Sequence, residues 1–186
     1  MAETYTLHVA GLTRELTICK VNDHMDIAAF IMLGDAELTV AAAAELLKKC
    51  PDFDILLTAE AKSIPLIHEM ARQSGAEKYF LARKGPKAYM SGVFEVHVKS
   101  ITTMDVQRLV IDTADAELIK GKRILIVDDV ISTGESLRAM EELVTRAGGS
   151  IVGRMAVLAE GAAQKRDDII VLGDLPLFNP DGTVKA

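Results

Sequence analysis

The stretch Ile124-Leu125-Ile126-Val127-Asp128-Asp129-Val130-Ile131-Ser132-Thr133-Gly134-Glu135-Ser136 decides how this chain folds. Its first four residues are apolar without alternation, which marks a strand buried on both faces. The run stops at two carboxylates. A loop of small hydroxyl residues and one glycine follows. A helix comes next, with Leu137, Met140, Leu143 and Val144 on its inward face and Gly148–Gly149 beyond its end. Residues 151–158 and 169–172 read as further strands. Continuous apolar strands joined by helices predict an α/β fold: a central, mostly parallel sheet flanked by helices.

Upstream, Tyr5, Leu7 and Val9 alternate, as do Leu16 and Ile18, so residues 5–20 predict a β-hairpin. Residues 21–35 have no regular period. Asp35 is placed to cap a helix over 36–49, with Pro51 after it. Residues 54–58 read as a buried strand. Ser63 opens a helix reaching about Ser74, with Pro65 in its first turn and Gly75 past its end. Residues 78–82 predict a short strand, and 93–98 with 106–111 an antiparallel pair around a polar segment. With no repeat, low-complexity tract or linker, residues 1–186 read as a single domain.

The chemistry of the opening stretch follows from its order. Ligands of open α/β sheets bind at the carboxyl ends of strands. A helix N-terminus there offers free N–H groups and partial positive charge to a phosphate. Gly134 permits close backbone approach, and Ser132, Thr133 and Ser136 can donate hydroxyl hydrogen bonds. Two adjacent carboxylates suit the hydroxyls of a diol. Phosphate and diol one loop apart describe a 5-phosphoribosyl group. Ser132-x-x-Glu135 is also a capping box, which alone carries no function. A P-loop would need G-x-x-x-x-G-K-[ST] upstream, and the sequence has none. A receiver-type phosphoacceptor would carry its acidic pair near the N-terminus.

All thirteen positions of Ile124–Ser136 fit the phosphoribosyl-pyrophosphate (PRPP) motif, so the chain resembles the type I phosphoribosyltransferases over about residues 20–178. It is most similar to the adenine and xanthine enzymes. The resemblance implies a PRPP-binding core over 36–159 and a small β hood from 1–35 plus 160–186. It also implies a mobile antiparallel loop over 86–108 that closes over the substrates and excludes water. The implied activity is a glycosyltransferase reaction of purine salvage: adenine and PRPP give AMP and pyrophosphate.

Site residues follow the same likeness. Asp128 and Asp129 take the ribose hydroxyls, and Ser132, Thr133, Gly134, Glu135 and Ser136 the 5′-phosphate. Glu60-Ala61-Lys62-Ser63 matches the family's pyrophosphate loop of acid, small, basic and glycine residues, with serine where glycine is usual. The family often has a cis peptide there, which points to Glu60–Ala61. Ser63 alternatively only caps its helix. Arg83 and Lys84 match the family's Arg-Lys at the next strand end, or else form a solvated basic turn. Asp26, Ile27 and Glu160 are assigned to the base. Phe178 either stacks on the purine or is plain core. A departure lies in the loop, where Thr103-Met104 replaces the Glu-Tyr pair of many adenine enzymes. Asp105 is then the substitute acid, beside Asp128, Asp129 and Lys84 as catalytic residues. Mg²⁺ is the implied cofactor, held mainly through PRPP and water, with Asp128 and Asp129 as candidate ligands. A homodimer is implied.

Composition narrows the alternatives. At 186 residues, 49% hydrophobic, the chain can bury a core. Its net charge of −6 argues against a nucleic-acid binder, and the lack of a winged-helix segment before residue 20 argues against a DNA-binding repressor on this fold. Cys19 and Cys50 form no metal or disulfide framework, and His8, His24, His68 and His97 stand at spacings unlike a metal site. The N-terminus has no basic, apolar leader and the Ala-rich 41–44 is too short to cross a bilayer, so a cytoplasmic protein without membrane partners is expected. Three rivals stay open: transfer to xanthine, hypoxanthine or guanine, a PRPP sensor without catalysis, and an unrelated α/β domain.

Overall fold

The structure, a computed structural model, describes residues 4–99 and 106–185. It opens with the predicted hairpin, β1 (Thr4–Val9) and β2 (Leu12–Asn22). Ala10 and Gly11 make the turn at φ 52° and 76°, the left-handed pair that matches strand twist in a two-residue hairpin. Alternation turns Leu7, Val9 and Leu16 inward. The aperiodic 21–35 nevertheless holds β3 (Met25–Ala28), antiparallel to β2. Four residues are too few to show a period, and β3 is defined by its neighbours.

Asp35 caps α1 (Ala36–Leu47), accepting from the Leu38 N–H at 3.0 Å. The Arg14 guanidinium grips the same carboxylate at 2.6 and 3.1 Å and holds its pKa below the ordinary value. This contact ties the hairpin to the helix. β4 (Ile55–Ala59), α2 (Ile64–Ser74) and β5 (Tyr79–Ala82) follow as predicted, with Gly75 in the left-handed region after α2. β6 (Val93–Lys99) and β7 (Val106–Asp112) form the antiparallel ribbon, bridged to the end of β5 through Arg83 and Val110. The sequence reading placed no helix between β7 and the next strand. The structure has α3 (Thr113–Ile119), capped by Asp112 and too short to show a clear apolar face.

β8 (Arg123–Ile131) and α4 (Glu135–Arg146) carry the deciding stretch. β9 (Ser150–Glu160), a 3₁₀ turn over Gly161–Lys165, β10 (Ile170–Leu175) and β11 (Leu177–Phe178) complete the chain. Five parallel strands lie in the order β10-β9-β8-β4-β5, and an antiparallel sheet runs β1-β2-β3-β11. The two faces of β8 supply two cores. Leu125 and Val127 pack with α1 and α2, while Ile124 and Ile126 pack with α4. All four are fully buried, each contributing roughly 1.5–3 kcal/mol of transfer free energy. Among the described residues no helix is long and apolar enough to cross a membrane.

Two expectations about the deciding stretch need correction. β8 does not end at the carboxylates, because β9 pairs with it through Asp128, Val130 and Ile131. Nor does Ser132 cap α4. The N-cap is Gly134 at φ 78°, with no side-chain cap bond, so the Ser132–Glu135 capping box is not formed.

Candidate active site

β8 and β4 begin side by side, but their pairing ends at Leu57 and Ile126. β8 stays bonded to β9 for five residues more, to Ile131. A crevice therefore opens between the carboxyl end of β4 and Asp128–Asp129. From β4 the chain passes to β5 on one side, and β8 lies on the other. α2 and α4 cover opposite faces. This is a switch point in strand order, where open α/β sheets leave room for a ligand.

A cleft of about 340 Å³ occupies the crevice, walled by Glu60–Ser63, Lys84, Asp128 and Asp129. A hollow of about 100 Å³ shares Asp128 and Ser136 with it and runs under residues 130–137, at the N-terminus of α4. The structure thus brings together the two strand-end loops read from the sequence. Gln107 and Leu109 of β7 also line the cleft. Sequence reasoning missed them. Their period-2 spacing puts them on one face, but nothing local shows which face meets the site.

Ser63 is the N-cap residue of α2, but its side chain makes no cap bond. It is buried, and its hydroxyl donates to Asp128 Oδ1 at 2.6 Å and accepts from the Asp129 N–H at 3.0 Å. The pyrophosphate-loop candidate is therefore bonded to the acidic pair. Burial, then the neighbouring Asp129 charge, pushes the Asp128 pKa well above the ordinary carboxylate value, and the Ser63 bond works against that rise. Asp129 is 4% exposed, and its Oδ2 lies 3.6 Å from Lys62 Nζ.

The peptide Glu60–Ala61 is cis. Glu60 accepts from the Lys84 N–H at 2.7 Å, and its other oxygen lies 2.8 Å from Arg83 Nε. The Arg-Lys pair therefore divides: Arg83 turns to Glu60 and Lys84 lines the cleft. The fold does not present the two cations side by side.

The base-site candidates gather less tightly. Asp26 and Ile27 on β3 pair in register with Phe178 and Leu177. Gly161, just after Glu160, packs so close to Leu177 that a Cβ there would stand 3.0 Å from its Cδ1. The antiparallel sheet is thereby joined to the end of β9. Asp26 Oδ1 is enclosed without a hydrogen-bond partner among the described residues. Phe178 is 3% exposed and packs edge-on against Tyr5, with ring centroids 5.5 Å apart. It is core, as the plainer reading of it had it, and not a stacking platform. Asp105 lies outside the described residues. Among those residues no cluster of three or more His, Cys, Asp or Glu could hold a metal by itself.

Comparison with known proteins gives the same picture. A family model described as a phosphoribosyl transferase domain matches residues 32–175. An adenine phosphoribosyltransferase of Petrotoga mobilis is 26% identical over 148 residues, covering 79% of this chain and 72% of that one. A hypoxanthine/guanine phosphoribosyltransferase of Methanosarcina acetivorans is 34% identical over 60% of this chain and 54% of its own length. The crystal structure of adenine phosphoribosyltransferase from Thermoanaerobacter pseudethanolicus shares the fold, with a TM-score of 0.62, 22% identity and coverage of 77% and 84%.

Proposed function

The chain belongs to the phosphoribosyltransferase family, and from that premise we propose that it joins adenine to the ribosyl group of PRPP, giving AMP and pyrophosphate. One observation carries the reading. An acidic pair followed by a phosphate-sized hollow lies across a crevice from a second loop with a helix N-terminus and a lysine. That spacing suits a ligand with a phosphate at one end, a diol in the middle and a pyrophosphate at the other.

The roles follow from chemistry. Asp128 and Asp129 accept from the ribose hydroxyls and favour the positive charge that develops at the ribosyl carbon. Ser63 fixes one oxygen of Asp128 and leaves the other for the ligand. Residues 132–136 hold the 5′-phosphate, with Gly134 at the positive φ that opens the loop. Lys62 and Lys84 draw charge off the departing pyrophosphate. Asp105 is the acid of the covering loop. The all-oxygen donor pair, with Asp129 Oδ2 enclosed and lacking a hydrogen-bond partner among the described residues, suits Mg²⁺ held mainly by substrate oxygens and water. Bound there, the ion makes pyrophosphate a better leaving group.

For the base, Asp26 and Glu160 offer acceptors, and Gly161 offers no side-chain donor. Acceptors suit the exocyclic amine of adenine, and the adenine enzymes among the relatives support that choice. A second reading, PRPP binding without transfer, draws on Thr103-Met104 standing where many adenine enzymes have Glu-Tyr. Pyrophosphate release measured with PRPP, Mg²⁺ and each purine base in turn separates the readings. Release with adenine alone is expected. Release with hypoxanthine or guanine alone would reassign the base, and PRPP binding with no release would favour the sensor.

A further inference from the structure

The ribbon strand β7 contributes a polar side chain to the cleft. Alternation along β7 puts Gln107, Leu109 and Ile111 on one face. Leu109 and Ile111 are buried in the core with Leu137 and Met140 of α4. Arg108, on the opposite face, turns to Glu95. Gln107 ends the inward row, where the row leaves the core and enters the cleft. There it shares the wall with Glu60–Ser63 and Lys84, and it takes no part in the hollow that runs to residue 137.

The backbone holds Gln107 in that place. Val110 and Arg83 exchange two hydrogen bonds, each of 2.8 Å, which fasten β7 to the turn that carries Lys84. The bridge is antiparallel, so Leu109 and Gln107 continue past the end of β5 alongside that turn. Neighbours on the ribbon cannot satisfy the Gln107 amide. Its cross-strand partner Val98 and its same-face neighbour Leu109 are apolar. Among the described residues its carboxamide has no hydrogen-bond partner. The side chain is half-buried, so leaving those donors unmade is costly unless a ligand takes them. Charge favours an amide here. Lys62 and Lys84 share the cleft with Asp128 and Asp129, and Arg83 matches Glu60. A pyrophosphate adds several negative charges to that balanced set. A neutral donor can bind it without the repulsion that another carboxylate would bring.

We propose that Gln107 is a further substrate-binding residue, its side-chain amide donating to the pyrophosphate group of PRPP beside Lys84. The inference rests on the PRPP reading of the site. The same donor would hold the pyrophosphate product after transfer. Because Gln107 stands on a paired strand bonded to the Lys84 turn, its position is set before the ligand arrives.

The test is calorimetric titration of the full chain, with Mg²⁺ present, using inorganic pyrophosphate and, separately, ribose 5-phosphate, together with PRPP kinetics. Gln107→Leu keeps the bulk of the side chain and removes its donors. It is expected to weaken pyrophosphate roughly 10-fold, the low end for a hydrogen bond to a charged group. Gln107→Glu should weaken pyrophosphate further, since it sets a like charge against the ligand. The kcat/KM for PRPP should fall in step with pyrophosphate affinity, and ribose 5-phosphate binding should not change in either variant. Unaltered pyrophosphate binding in Gln107→Leu would overturn the inference, whatever Gln107→Glu does. So would equal weakening of both ligands with a lower melting temperature, which marks a purely structural role. A wild-type chain that binds neither ligand overturns the PRPP reading and the inference with it.

Discussion

The half of the site proposed for ribose phosphate and the half proposed for the base are built in opposite ways. The first comes from one continuous stretch, in which strand β8, the loop and helix α4 place Asp128 to Ser136 around a single hollow. The second is assembled from residues far apart in the chain: Asp26 on β3, Glu160 at the end of β9, and β11 that joins their neighbourhoods. A contiguous site can be read as a motif. A dispersed one exists only after the antiparallel sheet has paired. The difference predicts that substitutions in the first half act on PRPP binding as a whole, while those in the second change which base is used.

Among single substitutions the largest effect on PRPP binding should come from Gly134→Val. A β-branched residue forced to φ 78° costs about 1–3 kcal/mol, and its Cβ would meet Arg166 Nη1 at 3.0 Å. PRPP affinity, measured by titration, should fall roughly 100-fold on those grounds. Next are Lys62→Met and Lys84→Met. Each should lower kcat/KM for PRPP roughly 10-fold, the low end for a hydrogen bond to a charged group, without altering the order of preference among bases.

The base half should respond more weakly. Asp26→Asn and Glu160→Gln are expected to change the ratio of kcat/KM between adenine and hypoxanthine by roughly 2- to 10-fold, the range of a single net hydrogen bond, and to leave PRPP binding unchanged. An equal fall in PRPP affinity would break the division between the halves.

The last effect is on stability rather than on binding. Asp128 has a folded pKa raised above its unfolded value, so the folded chain binds the extra proton. Its contribution to stability is complete below the unfolded pKa and is lost as pH rises from about 4 towards neutrality. Denaturant melts across that range should show the unliganded chain losing stability with rising pH, and Asp128→Asn should flatten the slope. A slope unchanged by the substitution would remove Asp128 as its source.

How much was legible follows the same division. Ile124–Val127, the inward face of α4, the Asp35 cap and the Ser63–Gly75 helix are local signals, and each is where the sequence placed it. β3 and β11 have four and two residues and are strands because they pair with each other and with β2. No window of sequence holds that information. The extension of β8 to Ile131 depends on β9 in the same way. At the site, residue types picked out loops that the fold brings together but not the bonds between them. Ser63 carries the features of a helix cap, yet its hydroxyl crosses to β8 because the switch point sets the two strand ends together. Arg83 and Lys84 are neighbours in sequence, and Glu60 draws only the first side chain away. Phe178 gave no sequence sign of whether it faced a purine or Tyr5, and the packing of β11 on β3 decides that.

The central claim is that Asp128 and Asp129 bind the ribose of PRPP, and its most direct test is titration of PRPP into the wild-type chain and into Asp128→Asn/Asp129→Asn, with thermal melts of both. The expected result is saturable binding by the wild type and none by the double variant, with the variant melting at the same temperature or higher. A folded double variant that binds PRPP as tightly as the wild type would contradict the account.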